Sequence, residues 1–474
     1  MMIVNKLARP FAILAAAGLM ACSEPAQPET NAGTPAITAG SGAPVDPERG
    51  GMAETLEESA FVAVDGMRFT LEGEDYAYVG ANMWYGAYLG ADTDYGDRDR
   101  LIRELDFLKA NGVTNLRVLG SSELSPLDNS VRPTFRDETG AYNEELLIGL
   151  DFLLAEMGKR EMKAVIYLNN FWEWSGGMVT YLYWTNGGEF INLGDPAHPW
   201  PAFAVFSAGF YRSEAANELY RDYIDTLVTR TNTITGILYT DDSAIMAWQL
   251  ANEPRSGGGT PEEEQYLPDF FAWIDDTAGY IKSLDPNHLV SSGNEGSMGC
   301  GGSMGCFIEA HDTDNIDYLT FHMWPKNWGW MDATDMEGTW DRTATSAMDY
   351  IETHIDVARE MDRPLVLEEF GFDRDGGSFD KAAGTEYRDR FYTMVFDRIE
   401  ESVAGGGPLV GSNFWSWGGY GEAAHDDYLW QNGDKSYTGD PPQEQQGLNS
   451  IFAGDDTTIT VLSGHAETLE RLTE

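Results

Sequence analysis

Basic residues are scarce in this chain. Thirty Lys and Arg stand against 78 Asp and Glu in 474 residues, a net charge of −48. A protein this acidic repels phosphate backbones, which excludes nucleic acid as a partner. Cysteine is scarcer still, with three residues in all, at 22, 300 and 306. The apolar stretch Pro10 to Ala21 is too short to cross a bilayer as a helix. There is no internal repeat, phosphate-binding loop, dinucleotide fingerprint or cluster of metal ligands, so neither a cofactor nor a metal is expected. What the chain has in quantity is aromatic surface. Fourteen Trp and 22 Tyr exceed the needs of a core and suit stacking against neutral, flat ligands such as sugars. A hydrophobic content of 42% supports a large core and argues against disorder as the main state.

Lys6 and Arg9 before the apolar stretch read as a secretory signal. The stretch ends Leu19-Met20-Ala21-Cys22, which resembles the lipobox of bacterial lipoproteins. The resemblance implies that Cys22 becomes the lipidated first residue; the alternative is an ordinary cleavage site followed by a chance Cys. Ser23, rather than Asp, favours the outer membrane by the same analogy. From Ser23 to about Gly51, Pro, Ala, Gly, Thr and Glu dominate and large apolar residues are almost absent, the composition of a tether. The expected organisation is a signal over 1–21, a tether over 22–54 and a catalytic domain over 55–474. The protein is expected to be secreted, held to the cell surface by lipid, and monomeric. Outside the cytoplasm, Cys300 and Cys306 are expected to form a small-loop disulfide. A metal site is the rival, but no His or further Cys pairs with them at zinc-finger spacing.

The body alternates short apolar runs with amphipathic stretches, the pattern of βα units. After a hairpin over Phe61 to Tyr78, strands are expected at Tyr76 to Met83, Thr114 to Leu119, Met162 to Leu168, Ile245 to Ala251, His288 to Ser292, Ile316 to His322, Pro364 to Glu369 and Leu409 to Trp415. Helical patterns lie between them, at Asp99 to Ala110, Glu144 to Arg160, Ala215 to Thr231, Leu267 to Leu284, Ala347 to Met361 and Thr385 to Val403. The fold class is therefore α/β, a (β/α)8 barrel with an N-terminal hairpin and long loops on the active face. A Trp- and Tyr-rich insertion, Asn169 to Ser213, follows the third strand and should sit over that face.

Barrel chemistry lies at the C-terminal strand ends. Strand four runs into Asn252-Glu253-Pro254-Arg255 and strand seven into Glu368-Glu369-Phe370-Gly371. A carboxylate that directly follows an apolar strand is costly unless paired or functional. One such group could be a buried ion pair with Arg117 or Arg255. Two, on opposite sides of a barrel, fit glycoside hydrolysis, where one carboxyl protonates the leaving oxygen and the other attacks the anomeric carbon.

These motifs resemble glycoside hydrolases of clan A, and in detail the β-mannanase subgroup of family 5. The matching segments are Trp248-Gln249-Leu250-Ala251-Asn252-Glu253-Pro254-Arg255, Asp285-Pro286-Asn287-His288-Leu289-Val290, Pro364-Leu365-Val366-Leu367-Glu368-Glu369-Phe370-Gly371, Asn413-Phe414-Trp415 and Asp440-Pro441-Pro442-Gln443-Glu444-Gln445-Gln446-Gly447. The similarity spans about residues 61 to 460. It implies that Glu253 is the general acid/base and Glu369 the nucleophile, with Glu368 facing away because successive strand side chains alternate. It implies that Asn252 binds the sugar 2-hydroxyl, that Arg117 keeps the nucleophile ionised, and that His322 is the active-site histidine. The charge of Glu369 is expected to keep Glu253 protonated near neutrality. The family often has His-x-Tyr where this chain has His322-Met323-Trp324, and an indole donates only through its N–H. Trp415 is the expected floor under the attacked sugar. Arg255, Glu295, Trp324, Trp328 and Trp172 complete the expected substrate contacts, whereas Trp248 and Trp273 read as core.

The resemblance implies a retaining endo-β-1,4-mannanase acting on mannan, glucomannan or galactomannan. A β-1,4-glucanase or exo-β-mannosidase on the same barrel, or a non-catalytic glycan-binding lipoprotein, are the alternatives. An aldolase-type barrel is disfavoured because no Lys stands at an expected strand end. Replacing Cys22 tests the anchor: Cys22→Ser should move the protein from the membrane fraction to the soluble fraction, and unchanged membrane association would contradict it.

Overall fold

From residue 78 onward, each short apolar run becomes a strand and each amphipathic stretch a helix. The computed structural model describes residues 60–259 and 264–474. The expected signal, the Cys22 anchor and the tether lie outside those residues. Eight parallel strands form one sheet: β1 Tyr78–Asn82, β2 Val113–Leu119, β3 Lys163–Tyr167, β4 Ile245–Gln249, β5 Leu289–Ser291, β6 Leu319–Met323, β7 Leu365–Phe370 and β8 Leu409–Phe414. They pair in the order β5-β4-β3-β2-β1-β8-β7-β6. No ladder joins β5 to β6. The Asp317 N–H donates to the Val290 carbonyl at 2.8 Å and the His322 N–H to the Glu295 carbonyl at 3.3 Å, and these bonds close the ring. The fold is a (β/α)8 barrel.

Among the described residues, eight helices cover it: α1 Arg98–Ala110, α2 Glu144–Gly158, α3 Glu214–Val228, α4 Leu267–Leu284, α5 Met304–His311, α6 Met336–Glu360, α7 Glu386–Ala404 and α8 Asp456–Thr473. Side-chain caps start several of them: the side chains of Asp97, Asn143, Ser213 and Asp335 accept from first-turn N–H groups of α1, α2, α3 and α6. Helix α6 begins eleven residues before the expected Ala347, because its opening turns carry Gly338, Thr339 and Thr343, which weaken the apolar period. Helix α8 was not expected at all. Threonines 457, 458 and 460 blur its first turn, yet Ile459, Leu462, His465 and Leu469 are buried along one side, and His465 stacks on Phe396 of α7 at 4.1 Å.

The N-terminal hairpin is a three-stranded antiparallel sheet, Ala63–Asp65, Arg68–Leu71 and Glu74–Tyr76. Its Phe69 packs on Tyr78 and Tyr318, together with Ala247, Leu289 and Val366, and so plugs the N-terminal end of the barrel. Higher up, the interior becomes polar and tight. A Cβ at Gly80 would lie 2.1 Å from Asn413 Nδ2, so only glycine leaves room for that amide.

Two loop segments shape the C-terminal face. The insertion after β3 folds into short helices, Gly177–Thr185 and Ala202–Ala208. The segment from Asp440 to Ser450 is organised by one buried carboxylate: Asp440 accepts from the N–H groups of Gly447 at 2.8 Å and Asn449 at 2.9 Å, and from the Ser450 hydroxyl. Asp440→Ala would strand these donors, and each buried unsatisfied group costs about 1–3 kcal/mol. The variant should therefore unfold at a clearly lower urea midpoint, and an unchanged midpoint would contradict this role.

Candidate active site

Glu253 follows β4 at a sharp bend, with φ of +48° in the left-handed region that a non-glycine residue rarely adopts. Its backbone N–H donates to the Gly293 carbonyl at 3.0 Å, so the residue after β4 is pinned to the segment after β5. Three nitrogen donors meet its carboxylate. His322 Nδ1 reaches Oε1 at 2.7 Å, Trp324 Nε1 reaches the same oxygen at 3.3 Å, and Trp172 Nε1 reaches Oε2 at 2.5 Å. Trp324, at the position where the family often has tyrosine, thus gives its single N–H to Glu253.

Glu369 stands opposite. Arg117 Nη1 donates to its Oε1, and His322 Nδ1 lies 3.4 Å from its Oε2. Arg117 is wholly buried and each of its nitrogens is bonded: Nε donates to Gln249 Oε1 at 2.8 Å, Nη1 also to Asn82 Oδ1 at 3.2 Å, and Nη2 to Asn252 Oδ1 at 2.8 Å. One carboxyl oxygen of Glu253, one of Glu369 and a ring nitrogen of His322 lie within 4.8 Å of one another.

Strand alternation does not separate the two glutamates of β7. The register against β6 shifts between Leu367 and Glu369, so Leu367 pairs with Phe321 and Glu369 with His322. The extra residue is a bulge, and both carboxyls point into the barrel in successive layers. Glu368 lies deeper, accepting from Gln249 Nε2 at 2.5 Å and 3.6 Å from Arg117 Nε. Burial pushes it up, against the charge of Arg117. Only Glu369 reaches the cleft.

The cleft has a volume of about 600 Å³. Trp172, Asn252, Glu253, Arg255, Glu295, Trp324, Trp328, Glu369 and Trp415 all line it, whereas Arg117 and His322 lie sealed behind this lining. Trp415 stands edge-on to Trp324 at 6.0 Å, and its indole N–H is buried without a protein partner. Trp328 packs against Trp330 and Tyr350. Trp248 and Trp273 are core, as expected. Cys300 and Cys306 are joined in a disulfide beside the cleft residues Met298 and Gly301.

Protons are distributed differently from the sequence expectation. Burial would raise Glu253, but the hydrogen bond and charge of His322, the charge of Arg255 and a hydrogen bond from Glu295 outweigh it and hold the carboxyl below the usual range. The charge of Glu369 does not keep Glu253 protonated, because the cation between them screens it. Burial pushes Glu295 up to about 8, aided by the charge of Glu253 and opposed by its ion pair with Arg255. His322 would be lowered by burial, but Glu369 and Glu253 together push it up to about 9. Near pH 7 the protons therefore sit on Glu295 and His322. The trio of Glu253, His322 and Glu369 lies within 4.8 Å, with the His322 ring nitrogen between the two carboxyls, close enough to exchange a proton.

Gln443 and Glu444 were not among the expected site residues. Both line the cleft, and Gln443 Oε1 and Glu444 Oε2 are buried without protein partners. Burial, followed by the charges of Asp440, Glu369 and Glu253, holds Glu444 well above the ordinary carboxyl range. The signal was present in the Asp440 to Gly447 motif, but nothing local says which of its polar residues turns inward.

A barrel with two carboxyls converging at strand ends four and seven, an arginine behind one and tryptophans around both, is the site of a glycoside hydrolase. The chain belongs to glycoside hydrolase family 5: residues 59–474 match the family 5 β-mannosidase-like model. It is 30% identical over 375 residues to a putative mannan endo-1,4-β-mannosidase 9 of Oryza sativa subsp. japonica, covering 77% of this chain and 83% of that protein. A family 5 mannosidase from Rhizomucor miehei, also crystallised with mannosyl-fructose, is 35% identical, superposes with a TM-score of 0.79 and covers 88% of this chain and 99% of its own. An endo-1,4-β-mannanase from the same fungus shares the fold at 22% identity and a TM-score of 0.63, over 87% of this chain and 99% of its own.

The proton distribution has a consequence for pH dependence. Both Glu295 and His322 are protonated at pH 7 and lose their protons as pH rises through about 8 and about 9. Each loss adds negative charge beside Glu253 and Glu369 and removes the proton supply. The value of kcat/KM should fall across this window, whereas folding stability should fall from lower pH, between the ordinary and the raised value of each group (4.5 to about 8 for Glu295, 6.5 to about 9 for His322), and level off above. A flat profile to pH 10 would contradict the assignment.

Proposed function

We propose that the protein is a retaining hydrolase of β-1,4-mannan, glucomannan or galactomannan that cuts internal linkages. The observation that carries the chemistry is the approach of one Glu253 oxygen to one Glu369 oxygen within 4.8 Å. Retaining glycosidases keep their carboxyls about 5–5.5 Å apart, whereas inverting ones leave about 6.5–9.5 Å for a water. The names of the plant relatives support β-mannan as substrate.

Glu369 attacks the anomeric carbon of a sugar seated on Trp415, while Asn252, fixed by Arg117, meets its 2-hydroxyl. Glu253 gives the proton to the leaving oxygen and receives its own from the neighbours that hold one, His322 and Glu295. As Glu369 becomes an ester its charge disappears. That charge is the largest influence raising His322, so its loss favours proton transfer toward Glu253 at the moment of need. In the second step water attacks the glycosyl-enzyme, Glu253 accepts a proton from it, and Glu369 leaves as carboxylate.

Release of single mannose units from chain ends is a second reading. It is favoured by the closer match to the Rhizomucor mannosidase, 35% identical at a TM-score of 0.79, than to the endo-mannanase of that fungus. Products separate the two. Wild-type protein on linear mannan should release mixed manno-oligosaccharides, and Glu369→Ala should lower the rate by about 10³-fold or more. Mannose alone would establish the exo mode, cellulose turnover would move the substrate to glucan, and no turnover would leave a glycan-binding protein.

A further inference from the structure

We propose that Trp200, on the insertion between β3 and α3, is a stacking platform for the second sugar on the leaving-group side, so that the bound chain continues past Glu253 into an adjoining cavity. The proposal rests on the hydrolase reading above.

Direction comes from the chemistry. Glu253 protonates the oxygen joining two sugars, so the attacked sugar lies on the Glu369 side, over Trp415, and the departing chain lies on the other. On that other side Glu253 meets Trp172, whose Nε1 donates to Oε2. The aromatic surface continues outward from there. Trp200 lies 6.4 Å from Trp172 with the rings inclined by 25°, and Trp172 is backed by Phe203 at 6.0 Å and 2°. The Arg255 guanidinium, held by Glu295, lies 5.1 Å from the Trp172 ring and 5.9 Å from that of Trp200. A flat face next to a fixed row of N–H donors is the combination that holds a sugar: C–H groups pack on the ring and hydroxyls accept from the guanidinium.

Trp200 is also 50% exposed, and no other tryptophan among the described residues ranks with the exposed large hydrophobics. Single exposed apolar residues are ordinary, but this one belongs to two concavities. It lines the catalytic cleft and, with Ile191, Pro199 and Tyr266, a second cavity of about 800 Å³. Prolines on both sides, Pro199 and Pro201, restrict the backbone that presents it. The insertion that carries Trp200 is rich in aromatic residues and borders the cleft, and the two carboxyls alone give it no task.

The test is a chain-length series. Rates on β-1,4-linked manno-oligosaccharides of two to five units are compared for wild type, Trp200→Ala and Trp200→Phe. Binding of the same sugars by calorimetry follows in the Glu369→Ala background. Trp200→Ala should lose about three- to tenfold in kcat/KM on the longer substrates, in line with the worth of an aromatic contact. The loss should be smallest on the disaccharide, and Trp200→Phe should recover most of it. An equal loss at every length, or none, would overturn the platform while leaving the hydrolase reading intact. Failure of the wild type to turn over any of these sugars would instead remove the hydrolase reading, and the platform with it.

Discussion

Everything at the mouth of this barrel depends on one buried cation. Arg117 has no exposed surface and binds Glu369, Gln249, Asn82 and Asn252 directly, with Glu368 at 3.6 Å. A charge taken out of water must be paired, and removing one partner of such a pair costs about 3–5 kcal/mol. The guanidinium therefore fixes the relative positions of β1, β2, β4 and β7, and with them the Asn252 amide and the Glu369 carboxylate. Tyr167 of β3 supplies its ring face at 4.7 Å, so a fifth strand takes part. Stability and preorganisation are here the same contacts.

A second constraint follows from crowding acids. Glu253, Glu295 and Glu369 share a space into which water barely reaches, and three cations stand directly against them: Arg117 and His322 against Glu369, His322 against Glu253 and Arg255 against Glu295. Burial still disfavours three ionised carboxyls side by side. Burial pushes Glu295 up to about 8 and so favours the proton there, while the charges of Glu369 and Glu253 push His322 up to about 9. Glu253 is then a carboxylate among proton donors, which suits the acid/base role proposed for it. The strained backbone at Glu253, at φ +48°, is maintained because both its neighbours in the sheet hold it: Asn252 bonds to the Asn169 carbonyl and Glu253 to the Gly293 carbonyl.

Much of this was legible in the residues. Apolar runs ending in Asn-Glu-Pro and Glu-Phe-Gly identify the strands and the two carboxyls, because burying an acid at a strand end needs a reason. The eight strands fall within a few residues of expectation, since strand and helix periods differ plainly in an alternating fold. Three features were not legible, and each is non-local. The bulge at Glu368 depends on how β7 meets β6, which alternation along one strand cannot reveal. The proton on Glu295 depends on distances among groups from β4, β5 and β6. The inward turn of Glu444 depends on the Asp440 hydrogen bonds that fold its segment. Helix α8 was missed for a local reason: threonine-rich turns hide an apolar face.

The central claim is a double displacement through Glu369, and stereochemistry tests it most directly. Proton NMR of the first product released from a manno-oligosaccharide, recorded before mutarotation, reads the configuration at the new reducing end. The account predicts the β-anomer first, with the α-anomer appearing only as mutarotation proceeds. An α-anomer formed first would mean a single displacement by water, and would contradict the roles assigned to Glu253 and Glu369.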